Sequence, residues 1–336
     1  NCQAHAHSYY PGHLWRNGQR VKLGNDPPVP GHARLPSGAD PRDPAAYAVF
    51  QGKDYAPDRM LETALAFLRE NKDRHFFLYY PSTLPHVALH VPDDDLKPYL
   101  GQWDETPFTG NGYTPHRTPR AAYAAMVSRL DKDAGQIVSL VDQLGLGRKT
   151  LILFSSDNGT THLDKEVDAA FFKSVGPLRG LKGSLYEGGI RVPLIARWTG
   201  RIAPGRTSDH LSAFWDLLPT LAELAGAAPP PGIDGLSLVP TLLGHGSQKA
   251  HPFLYWEFPG YGGQQALRLG RWKAIRHDML RRAHRDSLAI ELYDLQRDVG
   301  ETRDVAGLRP EIVAKAREIF AHEHVPSRLF PMRPID

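Results

Sequence analysis

Between Thr118 and Phe154 the sequence runs through a long helix, a glycine stop and a short apolar strand, and this succession limits the fold more than any other stretch. Thr118 can cap, Pro119 suits the first helical position and Gly145 can end the helix. Met126, Val127, Leu130, Ala134, Ile137, Val138, Val141 and Leu144 recur at helical spacing and predict one apolar face. Thr150 to Phe154 then reads as a buried strand. Upstream, Pro57 to Asn71 predicts a helix with Leu61, Leu65 and Leu68 on one stripe. The run His75 to Tyr80, closed by Pro81, has the pattern of a buried parallel strand. Strand, helix and strand in alternation imply an α/β fold, a doubly wound mixed sheet flanked by helices.

Val192 to Trp198 predicts a further strand. Asp216 is placed to cap a helix through Ala225, with Pro219 in its first turn and Gly226 at its end. Beyond about residue 247 the pattern changes. Leu254–Phe258, Ala266–Leu269, Trp272–Ile275 and Leu292–Leu295 read as short strands, and Pro310–His322 as a helix. The expected organisation is a catalytic domain over residues 1–246 and a small antiparallel sheet with one helix over residues 247–336. Residues 1–55, rich in Pro, Gly, His and Tyr, read as loops and short strands, and residues 98–117 as an insertion on the active-site side.

With 336 residues, 41% of them hydrophobic and 10% aromatic, the chain is large enough for a sizeable core. A net charge of +3, spread along the sequence, gives no case for nucleic acid and would not repel an anionic substrate. The densest basic run, Arg281-Arg282-Ala283-His284-Arg285, reads as a solvated loop. The single cysteine, Cys2, excludes an internal disulfide. No run of about 18 apolar residues would span a membrane. The first residues have neither a basic nor an apolar leader segment, and the chain does not begin with Met, so a processed or truncated chain is expected.

Chemistry concentrates between Leu151 and Trp198. Asp157 and Asn158 stand at the carboxyl end of a strand, where open α/β sheets bind ligands. Carboxylate and amide oxygens together suit a hard cation such as Ca2+; the plainer reading is an Asp-Asn-Gly turn. Lys182 lies between Gly180 and Gly183, where a fixed ammonium can stabilise charge on an anionic group; the plainer reading is an exposed loop lysine. Glu187 and Arg191 are expected to pair and shape that loop. His86, at the end of the His75–Tyr80 run, can donate a proton to a leaving alcohol or phenol near neutral pH, or serve as a structural loop histidine. His90 and His162 are weaker candidates, and His5-Ala6-His7 reads better as cleft or loop packing than as a metal site.

Two adjacent motifs, FSSDNG and PLRGLKGSLYEGGIRVPLIARW, resemble the formylglycine-dependent sulfatases of the alkaline-phosphatase-like fold. Similar text on both sides extends the resemblance from about Gln3 to about Leu295. It implies a sulfuric ester hydrolase acting on a small-molecule or carbohydrate sulfate ester. In the family the pair matching Asp157 and Asn158 joins two further aspartates in a calcium site. The lysine matching Lys182 contacts sulfate and nucleophile, and a histidine matching His86 contacts the sulfate. Export to the periplasm or cell exterior is the family's expectation. The family's nucleophile is a formylglycine made from Cys or Ser in Cys/Ser-x-Pro/Ala-x-Arg, and Cys2-Gln3-Ala4-His5-Ala6 does not fit. The echo His324-Val325-Pro326-Ser327-Arg328 has histidine in the nucleophile place and reads as coincidence. The expectation is therefore a sulfatase in its full-length form, with this chain inactive by itself. The alternatives are a phosphodiesterase or phosphonate hydrolase of the same superfamily, or a binding remnant without turnover.

Overall fold

The computed structural model describes residues 7–163, 165–281 and 288–336. Cys2, His5 and most of the basic run after Arg281 lie outside them. The chain forms two compact units: residues 1–150 with 163–172, and residues 151–162 with 173–336. The expected division after residue 246 falls inside the second.

In the first unit, strands β1 (His13–Arg16) and β2 (Gln19–Lys22) form an antiparallel hairpin. Its turn, Asn17-Gly18, takes positive φ at both residues, the conformation that a two-residue hairpin needs and that Asn-Gly tolerates best. Helix α1 (Ala56–Asn71) packs on helix α2 (Pro119–Gln143), and Leu61, Ala64, Ala122, Ala125 and Met126 are among the residues they bury. Tyr9, Tyr55, Leu84, Val87 and Leu89 complete this core. Gly145, at positive φ, ends α2 as expected. Thr118 occupies the N-cap position, but its side chain makes no cap bond; its N–H donates instead to His116 Nδ1 at 3.1 Å.

The face of α2 differs from the apolar stripe read in the sequence. Val127 is exposed, while Arg129 and Asp133, one turn apart, are buried. Arg129 binds Asp133 at 2.9 Å and Asp95 at 2.7 Å and also pairs with Asp58 of α1, so one guanidinium ties three segments. Each of its three nitrogens thus meets a carboxylate, the pairing that a buried charge requires.

The run His75–Tyr80 is not a strand. Phe77 and Tyr79 are 72% and 75% exposed, alternating with half-buried Phe76, Leu78 and Tyr80. The side chains keep a strand's period, but an apolar run becomes a strand only where a neighbour takes up its backbone hydrogen bonds, and among the described residues none pairs with it.

In the second unit, β3 (Ile152–Ser155) pairs antiparallel with β4 (Leu194–Arg197), Leu153 opposite Ala196. Strand β3 is not the buried strand expected: Phe154 is exposed, as is Ile195 of β4, because, among the described residues, the ladder has two strands. Helix α3 (Leu217–Leu224) follows a turn of 3₁₀ helix. Buried Asp216 does not cap it. Its carboxylate accepts the N–H groups of Ala213 and Leu236 and meets His251 Nε2, each at 2.8 Å, pinning the 3₁₀ turn to the segment after α3.

Strands β5 (Leu254–Phe258), β6 (Gln264–Leu269), β7 (Trp272–Arg276) and β8 (Glu291–Asp294) form the expected antiparallel sheet in sequence order. Helix α4 (Pro310–Glu323) covers one face, where Leu267, Ala274, Leu292, Ala316 and Phe320 are buried. The other face buries Ala266, Ile275 and Tyr293 with Leu185 and Tyr186. His324, the odd residue of the motif echo, is a tie between Glu257 at 2.8 Å and Asp336 at 3.2 Å. Among the described residues no helix is long and apolar enough to cross a membrane.

Candidate functional site

Strand β3 ends at Ser155 and the chain turns through Asp157-Asn158-Gly159. Two backbone hydrogen bonds join this turn to the glycine-rich segment 178–191: Gly159 N–H donates to the Gly189 carbonyl at 2.9 Å, and Lys182 N–H to the Thr160 carbonyl at 2.7 Å. The approach is so close that a Cβ on Gly159 would lie 1.9 Å from the Gly188 oxygen, and one on Gly188 2.2 Å from the Gly180 oxygen. Only glycine permits this seam. The backbones of the Asp157-Asn158-Gly159 turn and of the segment carrying Lys182 are thus neighbours, joined at Gly159 and Thr160.

Asp157 is exposed, and among the described residues nothing hydrogen-bonds its carboxylate. Asn158 donates through Nδ2 to the Gly159 carbonyl at 2.8 Å, which leaves its Oδ1 as an acceptor. A carboxylate and an amide oxygen on one tight turn fit part of the oxygen shell of a hard cation. Among the described residues no group of three His, Cys, Asp or Glu side chains makes a metal cluster, so these two would be part of a ligand set.

The segment carrying Lys182 is held from below. Glu187, expected to pair with Arg191, has a nearer partner: buried Lys273 of β7 reaches its Oε1 at 2.9 Å, whereas Arg268 and Arg191 stand at 3.6 and 3.8 Å. Burial alone would raise the Glu187 carboxyl; Lys273 and the two arginines outweigh it and bring the pKa below its ordinary value. Glu187 N–H donates to Glu301 Oε2 at 2.8 Å. Glu301 is fully buried, its Oε1 has no partner among the described residues, and desolvation pushes its carboxyl up to about 7. Arg179 stacks on Tyr186 at 4.0 Å and donates to Tyr293 Oη at 3.0 Å and to the Glu301 carbonyl at 2.9 Å. Sequence reasoning missed Lys273, Glu301 and Gln264, which lie outside both motifs.

His86 belongs to the other unit. Its Nδ1 lies 2.5 Å from the Val87 carbonyl; a carbonyl only accepts, so Nδ1 is the donor. The ring stacks on His7 at 5.1 Å with Tyr113 edge-on at 5.9 Å, and His7 Nδ1 is 3.2 Å from His32 Nε2. Fully buried Tyr9 fixes the turn from inside, its hydroxyl 2.6 Å from the carbonyls of both Thr83 and His86. Buried His90 accepts the Tyr9 N–H, and desolvation lowers its pKa to about 3, so it is a neutral core histidine. His162 stands edge-on to Tyr261 at 5.2 Å, with a buried Nδ1 that lacks a hydrogen-bond partner among the described residues.

Comparison with known proteins follows this geometry. The sulfatase family model matches residues 6–227, and the C-terminal model of N-sulphoglucosamine sulphohydrolase matches residues 181–318. Human arylsulfatase A is 34% identical over 273 residues, covering 74% of this chain and 49% of that protein. Mouse steryl-sulfatase is 32% identical, with coverage of 78% and 42%, and dog N-acetylgalactosamine-6-sulfatase 34%, with 64% and 37%. The chain thus spans half the length or less of these curated relatives. Among solved structures, Ps i-CgsB superposes with a TM-score of 0.64 at 26% identity, covering 80% of this chain and 55% of that one. BT4656, with a TM-score of 0.66, 18% identity and coverage of 93% and 72%, shares the fold.

Proposed function

The chain belongs to the sulfatase family, and from that premise we propose that the complete protein hydrolyses a sulfate monoester by S–O cleavage. The observation that carries this reading is the glycine seam, which sets the Lys182 backbone against the Asp157-Asn158 turn. Asp157 and Asn158 would hold a divalent cation, Ca2+ for choice. Bound there, such a cation supplies positive charge for the sulfate oxygens. Lys182 adds an ammonium, carried on a loop whose backbone is hydrogen-bonded to Thr160, to stabilise charge on the sulfate. When the S–O bond breaks, the leaving oxygen takes a proton and the oxygen of water ends in inorganic sulfate. His86 is the donor of that proton in this reading, because an imidazole can protonate a leaving oxygen near neutral pH. No Cys or Ser in these 336 residues stands in the sequence that the family converts to formylglycine, so the nucleophile is not among them. The 336-residue chain alone is expected to release no sulfate.

A sulfated carbohydrate is the substrate class we favour. One relative is named an N-acetylgalactosamine-6-sulfatase, and Ps i-CgsB is also known in complex with a neocarrahexaose. Residues 1–55 and 98–117 are the places to seek specificity. Export to the periplasm or cell exterior, and the division of labour between residues 1–246 and 247–336, belong to the same reading. The test is turnover of matched aryl sulfate and aryl phosphate esters by the complete protein and its Lys182→Ala variant. Sulfate release that the variant loses by 10²-fold or more supports the reading. Preference for the phosphate ester, or full turnover without Lys182, would replace it with the phosphohydrolase alternative or remove it.

A further inference from the structure

The glycine-rich segment that carries Lys182 has an underside made by the antiparallel sheet. Buried Gln264, first residue of β6, spans the residues just after the lysine. Its Nε2 donates to the Gly183 carbonyl at 2.7 Å, and its Oε1 accepts the Leu185 N–H at 3.1 Å. One carboxamide therefore reads both a donor and an acceptor of the loop backbone, using its two ends as a carboxylate or an amine could not. Two residues further on, Glu187 is gripped twice, by Lys273 Nζ through its side chain and by Glu301 Oε2 through its N–H. Three side chains from the sheet and the segment after it thus fix the loop at residues 183, 185 and 187. The opposite side of the loop is held by the Thr160 carbonyl at Lys182 N–H.

We infer that Gln264 is a positioning residue for Lys182, with Lys273 and Glu301 as its supports, so that the C-terminal sheet sets where the ammonium stands. The catalytic part of this inference rests on the sulfatase reading; the mechanical part does not. A hydrogen-bonding brace on the backbone explains what a purely apolar underside would not: Gln264, Lys273 and Glu301 are polar, 5% exposed or less, and all directed at one short loop. Misplacement of a catalytic group by about 1 Å can cost on the order of 10²-fold in rate.

Two measurements test it. Amide hydrogen exchange on the 336-residue chain compares Gln264→Ala with the parent across residues 181–189 and across β7 and β8. Faster exchange confined to the loop, by 10-fold or more, is expected; unchanged loop protection overturns the inference. Steady-state kinetics on the complete protein compares Gln264→Ala, Gln264→Glu and Lys182→Ala with an aryl sulfate. Gln264→Ala is expected to lower kcat about 10²-fold with KM moving less than about threefold. Gln264→Glu keeps the acceptor for Leu185 but turns a second acceptor toward the Gly183 carbonyl, and its kcat should fall at least as far as that of Gln264→Ala. Equal loss of kcat in a variant whose β7 and β8 amides also lose protection would mean general destabilisation and overturn the inference. Parent kcat in Gln264→Ala, while Lys182→Ala is inactive, would overturn it too. Full activity in Lys182→Ala would instead sink the sulfatase reading and the catalytic part with it, leaving hydrogen exchange to decide the mechanical part.

Discussion

Removing the charge of Lys273 is the sharpest test of how the second unit is held together. In Lys273→Met the Glu187 carboxylate, 7% exposed, loses its partner at 2.9 Å and keeps only Arg268 at 3.6 Å and Arg191 at 3.8 Å. Breaking a buried ion pair from one side costs about 3–5 kcal/mol, because the remaining charge stays desolvated. Two arginines offset part of that, and one of them, Arg191, is mostly exposed and contributes little. The expected loss is about 2–4 kcal/mol. For a cooperative unit of roughly 150–250 residues each kcal/mol shifts Tm by about 2–4 °C, so the single variant should melt some 4–16 °C lower. Glu187→Gln on top of Lys273→Met removes the orphaned charge and should recover at least half of the loss, since neutral replacement of a buried pair is often harmless. The assay is thermal and urea denaturation of parent, single and double variants at one pH. A double variant no more stable than the single one, or a single variant within about 1 kcal/mol of the parent, would refute the reasoning.

Gly159→Ala should destabilise by about 3 kcal/mol, because its Cβ would meet the Gly188 oxygen at 1.9 Å and neither backbone can yield; urea denaturation measures it. Asp157→Ala in the complete protein is expected to weaken calcium binding at least tenfold by titration calorimetry, while Asn71→Ala, in the other unit, should leave it unchanged. Glu301 gives a pH dependence of definite sign. Its folded carboxyl, pushed up to about 7, lies above the ordinary value of 4.5, so the folded state holds a proton that the unfolded state has released. The stability it contributes is complete below about pH 4.5 and is lost as pH rises to about 7. Glu301→Gln should therefore flatten this part of the stability curve in urea titrations at pH 5 and pH 7.5; a curve as steep as the parent's would contradict the assignment.

The helices and the four-stranded sheet were legible because period and punctuation agree in them: Pro119 and Gly145 bound α2, and the turns between β5 and β8 separate short apolar runs. What failed was partnership. His75–Tyr80 has the composition of a strand, yet composition cannot say whether a neighbour will take its hydrogen bonds. The helical period located α2 but not the polarity of its buried face, since Arg129 and Asp133 are buried only because Asp58 and Asp95 come to meet them. At the candidate site, the glycines on either side of Lys182 imply a close backbone approach, and Asp157 and Asn158 are read from their place at a strand's carboxyl end. Gln264, Lys273 and Glu301 stand 81, 86 and 114 positions from the loop residues they hold, too far for any local pattern to couple them. Arg191 is expected from the sequence to pair with Glu187 and shape the loop; the buried lysine is the nearer partner, at 2.9 Å against 3.8 Å.

The hydrogen bonds and the closest approaches of the seam between the Asp157 turn and the lysine loop run backbone against backbone. Neighbouring side chains can therefore drift through evolution, changing which ester is welcomed, without shifting the scaffold on which the charges are mounted. The same construction forbids compromise at the joint itself. A larger residue at Gly159 cannot be accommodated by shrinking Gly188, because there is nothing there to shrink. Diversification of such a site is channelled into its rim, and loss of a single joint glycine has no second-site remedy nearby.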